Sequence, residues 1–142
     1  MEKYDALKLE NQLCFPLYAA SNKIVREYKP LLDELDLTYT QYITMMVLWE
    51  KKTVNETELG NCLFLKSSTL APLLKKLEAK GYITRNRDKQ DERSILISIT
   101  DAGEKLKEQA ICIPQKMAES INLEQSEAEY LYQILYKMLG NN

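Results

Sequence analysis

The hydrophobic period of this chain drops from helical to two near its centre and then returns to helical, and that interruption limits what the chain can fold into. Up to Lys80 the apolar residues fall at helical spacing. Leu7, Leu13, Leu17, Ile24 and Val25 predict a helix from about residue 6 to Tyr28, and Leu70, Leu73, Leu74 and Leu77 keep the i, i+3, i+4, i+7 rule. Gly81 stops that second helix, and the period then falls to two. Tyr82-Ile83-Thr84-Arg85 is β-rich, and Ile95, Ile97 and Ile99 alternate with Ser94, Leu96 and Ser98. The charged stretch from Asp88 to Glu92 lies between them as a turn, so the two strands form a hairpin.

Caps and prolines set the remaining boundaries. Pro16 falls inside the first helical stretch and is expected to kink it, and Pro30 to end or bend it again. Thr38-x-x-Gln41 is a capping box opening a buried helix, Tyr42 to Glu50; Asn55-x-x-Glu58 opens a short one ending near Phe64. Ser67 or Ser68 caps the next helix, close enough to Pro72 for that proline to be tolerated. Thr100-Asp101 caps a further helix, and Leu131, Ile134, Leu135 and Met138 stripe the last. Three helices, a capped fourth, a two-stranded ribbon and two long helices make a mainly α chain with a small β-hairpin wing. The expected architecture is a single winged helix-turn-helix domain over residues 1–142, with a lobe at about 38–100 and flanking helical segments at about 1–36 and 101–142.

Composition narrows the function classes. The chain has no histidine, which removes Ser/His/Asp and Cys/His nucleophile pairs and every His-ligated metal site. No metal, cofactor or enzymatic activity is expected. The longest apolar run, Tyr42 to Trp49, is too short to cross a bilayer, and Met1 to Asp5 does not read as a secretory signal. Cys14, Cys62 and Cys112 are therefore expected as thiols in a reducing cytoplasm. Charge is uneven: residues 60–93 carry net +4, while 1–59 and 94–142 each carry −3. A basic middle third points to a local polyanion contact.

Two short helices in tandem, the second basic with small residues at its start, are the helix-turn-helix arrangement. With Leu70, Leu73, Leu74 and Leu77 inward, Ser67, Ser68, Thr69, Ala71, Pro72, Lys75 and Lys76 face outward. Small hydroxyl residues let a helix start sink into a major groove and reach phosphates or base edges. Arg85, Arg87, Lys89 and Arg93 make the ribbon basic, as insertion into an adjacent minor groove requires. A protein-interaction winged helix and an exposed charged hairpin remain the alternatives at this point.

The sequence resembles the MarR family of dimeric bacterial repressors, and within it the organic-hydroperoxide-sensing (OhrR-like) branch. The matching stretches are Leu9-Glu-Asn-Gln-Leu-Cys-Phe15, Tyr28-Lys-Pro-Leu-Leu32, Leu37-Thr-Tyr-Thr-Gln-Tyr42, Leu48-Trp-Glu50, Thr69-Leu-x-Pro-Leu-Leu-Lys-Lys-Leu77 and Asp91-Glu-Arg-Ser94. The resemblance implies recognition-helix contacts from Ser67, Ser68, Thr69, Lys75 and Lys76, and a minor-groove arginine at Arg93 oriented by Asp91. It implies a homodimer built by the first and last helices, reading half-sites of a pseudo-palindromic operator about one DNA turn apart.

It also implies a sensor. On sequence alone a cysteine in an apolar helical stretch is mostly an inert core residue. Tyr18 lies one turn after Cys14, and the resemblance adds Tyr28 and Tyr39, reaching the thiol across the dimer. Phenolic hydrogen bonds in a helix environment would favour the thiolate that attacks a peroxide, giving a reversible sulfenic acid. Organic hydroperoxide and a low-molecular-weight thiol are then the redox signals. Cys112 lies about two turns before the expected resolving position, held by Glu119, so an external thiol is favoured; Cys62 reads as structural. Pro16, Lys66 and Ala71 depart from the branch pattern. The alternatives are a repressor released by a small aromatic ligand with Cys14 buried, a thiol peroxidase, and an interaction module that does not bind DNA.

Overall fold

A computed structural model describes residues 2–140 of the chain. Two 3₁₀ turns (Asp5–Leu7, Leu9–Asn11) lead into α1 (Cys14–Asp33) and α2 (Tyr39–Lys51). A short β1 (Thr53–Asn55) precedes α3 (Glu56–Leu63) and α4 (Ser67–Ala79). The hairpin is β2 (Ile83–Arg87) and β3 (Ile95–Ile99), followed by α5 (Asp101–Ala110), α6 (Ile113–Ile121) and α7 (Gln125–Leu139). The residues fall into two compact units, one running to Ile111 and the other from Cys112 onward.

In the first unit the leucine stripe of α4 is the centre of the core. Leu70, Leu74 and Leu77 are almost wholly buried, together with Leu32, Met45, Leu48, Leu59, Ile83 and Ile97. Each such side chain contributes roughly 1.5–3 kcal/mol by leaving water. The wing is wider than a hairpin. The order is β1-β3-β2, all antiparallel, with Ile97 opposite both Val54 and Arg85. Placing β3 in the middle gives Ile97 a neighbour on each side, which is why it is fully buried.

The capping box at Thr38 and Gln41 forms in both directions, at 3.2 and 3.0 Å. Asn55 caps α3 by accepting from the Glu58 N–H at 2.7 Å, but the Glu58 carboxylate turns instead to Lys51 at 2.9 Å. Gly81, at φ +83°, follows α4 as expected.

Several boundaries differ from the sequence reading, beginning with α2, which starts at Tyr39, directly after its Thr38 cap, instead of at Tyr42. α1 begins at Cys14, so Pro16 is its third residue, where the missing N–H has no helical partner to lose and no kink results. Pro30 lies within α1, which continues to Asp33. Neither Ser67 nor Ser68 caps α4: Lys66 holds that position, without a side-chain bond, and both serines are in the first turn. Three helices follow the wing instead of two, because Pro114 starts a new helix after Cys112.

In the second unit, α7 has a reciprocal cap between Glu124 and Glu127 and ends at Gly140 in the left-handed region. No residue of α7 is buried, and its stripe of Leu131, Ile134 and Met138 is exposed along with Tyr130 and Tyr132.

Candidate DNA-reading surface and thiol site

The turn between α3 and α4 is tight because Phe64 takes a left-handed conformation (φ +55°) and the Leu65 N–H bonds back to the Gly60 carbonyl at 3.0 Å. A Cβ on Gly60 would stand 3.0 Å from the Leu65 carbonyl oxygen, so the approach favours glycine. With its leucines buried, α4 turns Ser67, Ser68, Thr69, Lys75 and Lys76 outward, and all five are exposed. Its start has no side-chain cap, which leaves first-turn N–H groups open to an anion.

The wing turn is held by its own polar groups. The Asp88 N–H bonds to the Ser94 carbonyl at 2.9 Å, and the Asp91 carboxylate accepts the Arg93 backbone N–H at 3.1 Å. The Asp91 contact is thus to the main chain of Arg93 and leaves its guanidinium unheld by that carboxylate. Arg87 donates to the Glu92 carbonyl at 2.7 Å and closes the turn. Arg85 is pulled back to Glu78 on α4, at 3.1 Å, so it ties sheet to helix instead of extending the tip. Arg87, Lys89 and Arg93 are all exposed there. Arg93 lines a cleft of about 660 Å³ with Lys66, Ser67, Asn61 and Phe64, so the wing base and the start of α4 share one concave surface.

Cys14 is the first residue of α1 and is exposed, among exposed Leu13, Phe15, Leu17 and Tyr18. Tyr28 lies fourteen residues further along α1, about 21 Å up the axis. Within one chain, then, the thiol and Tyr28 are apart. Tyr28 instead meets Tyr39 at 4.9 Å between ring centroids and Tyr42 at 5.7 Å, with Trp49 6.3 Å beyond Tyr42. Burial, then the neighbouring Tyr39, raises the Tyr28 phenol above its ordinary value. Burial, then Tyr28 and Tyr39, pushes Tyr42 up to about 12. Tyr42 is missing from the sequence-predicted site, although its i+3 spacing from Tyr39 was available.

The other thiols are placed differently from each other. Cys62 is exposed on α3, and its sulfur lies 4.0 Å from the Lys51 ammonium. Cys112 is exposed and precedes α6, which carries Glu119. Among the described residues no cluster suits a metal ion, and no helix is long and apolar enough to cross a membrane.

Comparisons with known proteins agree on the class. The family model described as transcriptional regulator SarA/Rot matches residues 26–110. An organic hydroperoxide resistance transcriptional regulator of Bacillus subtilis is 47% identical over 140 residues, covering 96% of this chain and 93% of that protein. Among solved structures, reduced AbfR bound to DNA superposes with a TM-score of 0.79 at 32% identity, over 98% of this chain and 97% of that one. The disulfide-formed AbfR gives 0.65 at 32% identity, over 96% of each chain.

Proposed function

Because the chain belongs to the SarA/Rot family of MarR-like winged-helix transcriptional regulators and is a DNA-binding regulator, we propose that it is a homodimeric repressor releasing its operator when organic hydroperoxide oxidises Cys14. The observation that carries this reading is an exposed thiol at the first position of α1, flanked along the chain by exposed apolar side chains. Apolar neighbours favour an organic peroxide over a hydrated one. The regulator from Bacillus subtilis is named for organic hydroperoxide resistance, and AbfR has been solved reduced on DNA and with a disulfide formed.

The thiolate sulfur attacks one oxygen of the peroxide and the O–O bond breaks. An alcohol leaves after taking a proton, and the sulfur, two electrons poorer, becomes a sulfenic acid. A low-molecular-weight thiol then condenses with it, releasing water and leaving a mixed disulfide. Cys14 and the cluster of Tyr28 and Tyr39 lie apart in one chain. A dimer that brings the partner's cluster to Cys14 would supply the phenolic donors. The exposed apolar residues of α1 and, separately, of α7 supply surface for that dimer. Ser67, Ser68, Thr69, Lys75 and Lys76 would meet the major groove and its phosphates, while Lys89 and Arg93 enter the minor groove.

The test is to treat the reduced protein with just under one equivalent of an organic hydroperoxide and map the modified cysteine by peptide mass. Selective oxidation at Cys14 is expected. If Cys14 stays reduced while the peroxide survives, the sensor reading fails and a small-ligand-released repressor takes its place.

A further inference from the structure

Lys80 follows the last residue of α4, one turn past Lys76, and its ammonium reaches the corner between α1 and α2. It donates to the Asp36 carbonyl, to Gln41 Oε1 at 3.2 Å, and pairs with the Asp36 carboxylate at 3.5 Å. An ammonium has three donors, and three acceptors surround this one. The acceptors belong to one structural knot. Asp36 sits at φ +55° in the corner between α1 and α2. Gln41 is buried, and its amide oxygen accepts from both Lys80 and the Thr38 N–H, the latter at 3.0 Å. The Thr38 hydroxyl returns a bond to the Gln41 N–H at 3.2 Å. Tyr39 and Tyr42 grow from the same turn of α2, and Tyr28 leans on both from α1. Lys80 is therefore the polar link between the helix that reads DNA and the corner that carries the tyrosine cluster.

We propose that Lys80 is a positioning residue for operator binding: it fixes the C-terminal end of α4 to the α1–α2 corner, so that the setting of that corner governs how α4 is presented to DNA. The second half rests on the redox reading above, since oxidation would act on the corner through the tyrosines. The first half does not. A bond to a backbone carbonyl and a buried amide defines position more tightly than an exposed ion pair does, because neither acceptor can swing away. A merely structural lysine would affect stability alone, and a phosphate-contacting lysine would affect the salt dependence of binding.

The experiment uses the full-length reduced protein and a duplex selected by the wild type from a randomised library. Lys80→Met is expected to weaken binding by about tenfold, with the slope of log affinity against log salt unchanged. Lys80→Arg, whose fork reaches both oxygens, is expected to restore most of the affinity. Asp36→Asn keeps the carbonyl and is expected to bind like the wild type. Thermal unfolding confirms folding; if Lys80→Met does not fold, Lys80→Gln takes its place. Wild-type affinity in the methionine variant overturns the proposal, and so does a slope shallower by about one, which marks a direct phosphate contact. After peroxide treatment, the variant should show a smaller reduced-to-oxidised affinity ratio than the wild type; an undiminished ratio overturns the coupling. If the wild type shows no ratio at all, the redox reading fails, and the reduced-state measurements still decide the positioning role.

Discussion

Arg85 and Arg93 lie on the same ribbon and look alike in sequence, yet their side chains have different partners. Arg85 is spent on Glu78, whereas Arg93 is aimed over the cleft beside the start of α4. Arg93→Ala should therefore weaken duplex binding and lower the salt slope by about one. Arg85→Ala should leave the slope alone and lower thermal stability slightly, by up to about 1 kcal/mol for a partly exposed pair. Titrating affinity between low and moderate salt separates the two. The tyrosine cluster makes a second prediction at this scale. Tyr28 and Tyr42 hold their protons in the fold beyond the pH at which the unfolded chain loses them. The native state then binds more protons than the unfolded state, so their contribution is complete below about pH 10 and disappears as pH rises towards 12. Thermal midpoints measured from pH 9 to 12 should fall along that range, and Tyr42→Phe should flatten the fall.

At the scale of elements, α5 is fitted to α2 and the sheet through one glycine. A Cβ on Gly103 would lie 2.4 Å from the Tyr82 carbonyl oxygen and 2.8 Å from Ile99, and the Gly103 carbonyl takes the Trp49 indole N–H at 2.9 Å. Gly103→Ala should push α5 off this seat and cost about 1–3 kcal/mol, read from urea unfolding. Nothing in the sequence distinguishes Gly103 from a tolerated helix glycine, because the crowding comes from residues distant in the chain. What was legible is what is written locally. The α4 stripe, the Thr38 box, the Thr100 cap and the isoleucine alternation each state their structure within a few residues. β1 was not legible, since three residues carry no alternation and the strand exists only because β3 accepts it. Lys66 displaced the serines as cap because the tertiary fold, through Gly60 and Phe64, sets where α4 starts. Pro114 did announce a helix start, and the lack of a nearby glycine masked it. The thiol's setting was half legible: Cys14 and Tyr18 are neighbours in sequence, but the joining of Tyr28, Tyr39 and Tyr42 needs the α1–α2 corner.

At the scale of the whole molecule, charge and exposed apolar surface divide the work. The net +4 of residues 60–93 falls on α4 and the wing, the elements proposed to read DNA, in a chain otherwise acidic. Exposed apolar side chains are concentrated on α1 and on α7, elements outside that basic stretch. On the proposed redox reading, oxidation at one place alters affinity at another, and a tenfold change requires only about 1.4 kcal/mol of difference between the two states. The central claim is that Cys14 oxidation and DNA release are one event. The most direct measurement is the affinity of the full-length protein for a wild-type-selected duplex, before and after oxidation confined to Cys14, at fixed salt and beside Cys14→Ser. The expected result is a fall of at least about tenfold in the wild type, reversed by a thiol reductant, and tight peroxide-insensitive binding by the serine variant. Fully oxidised Cys14 with unchanged duplex affinity would contradict it.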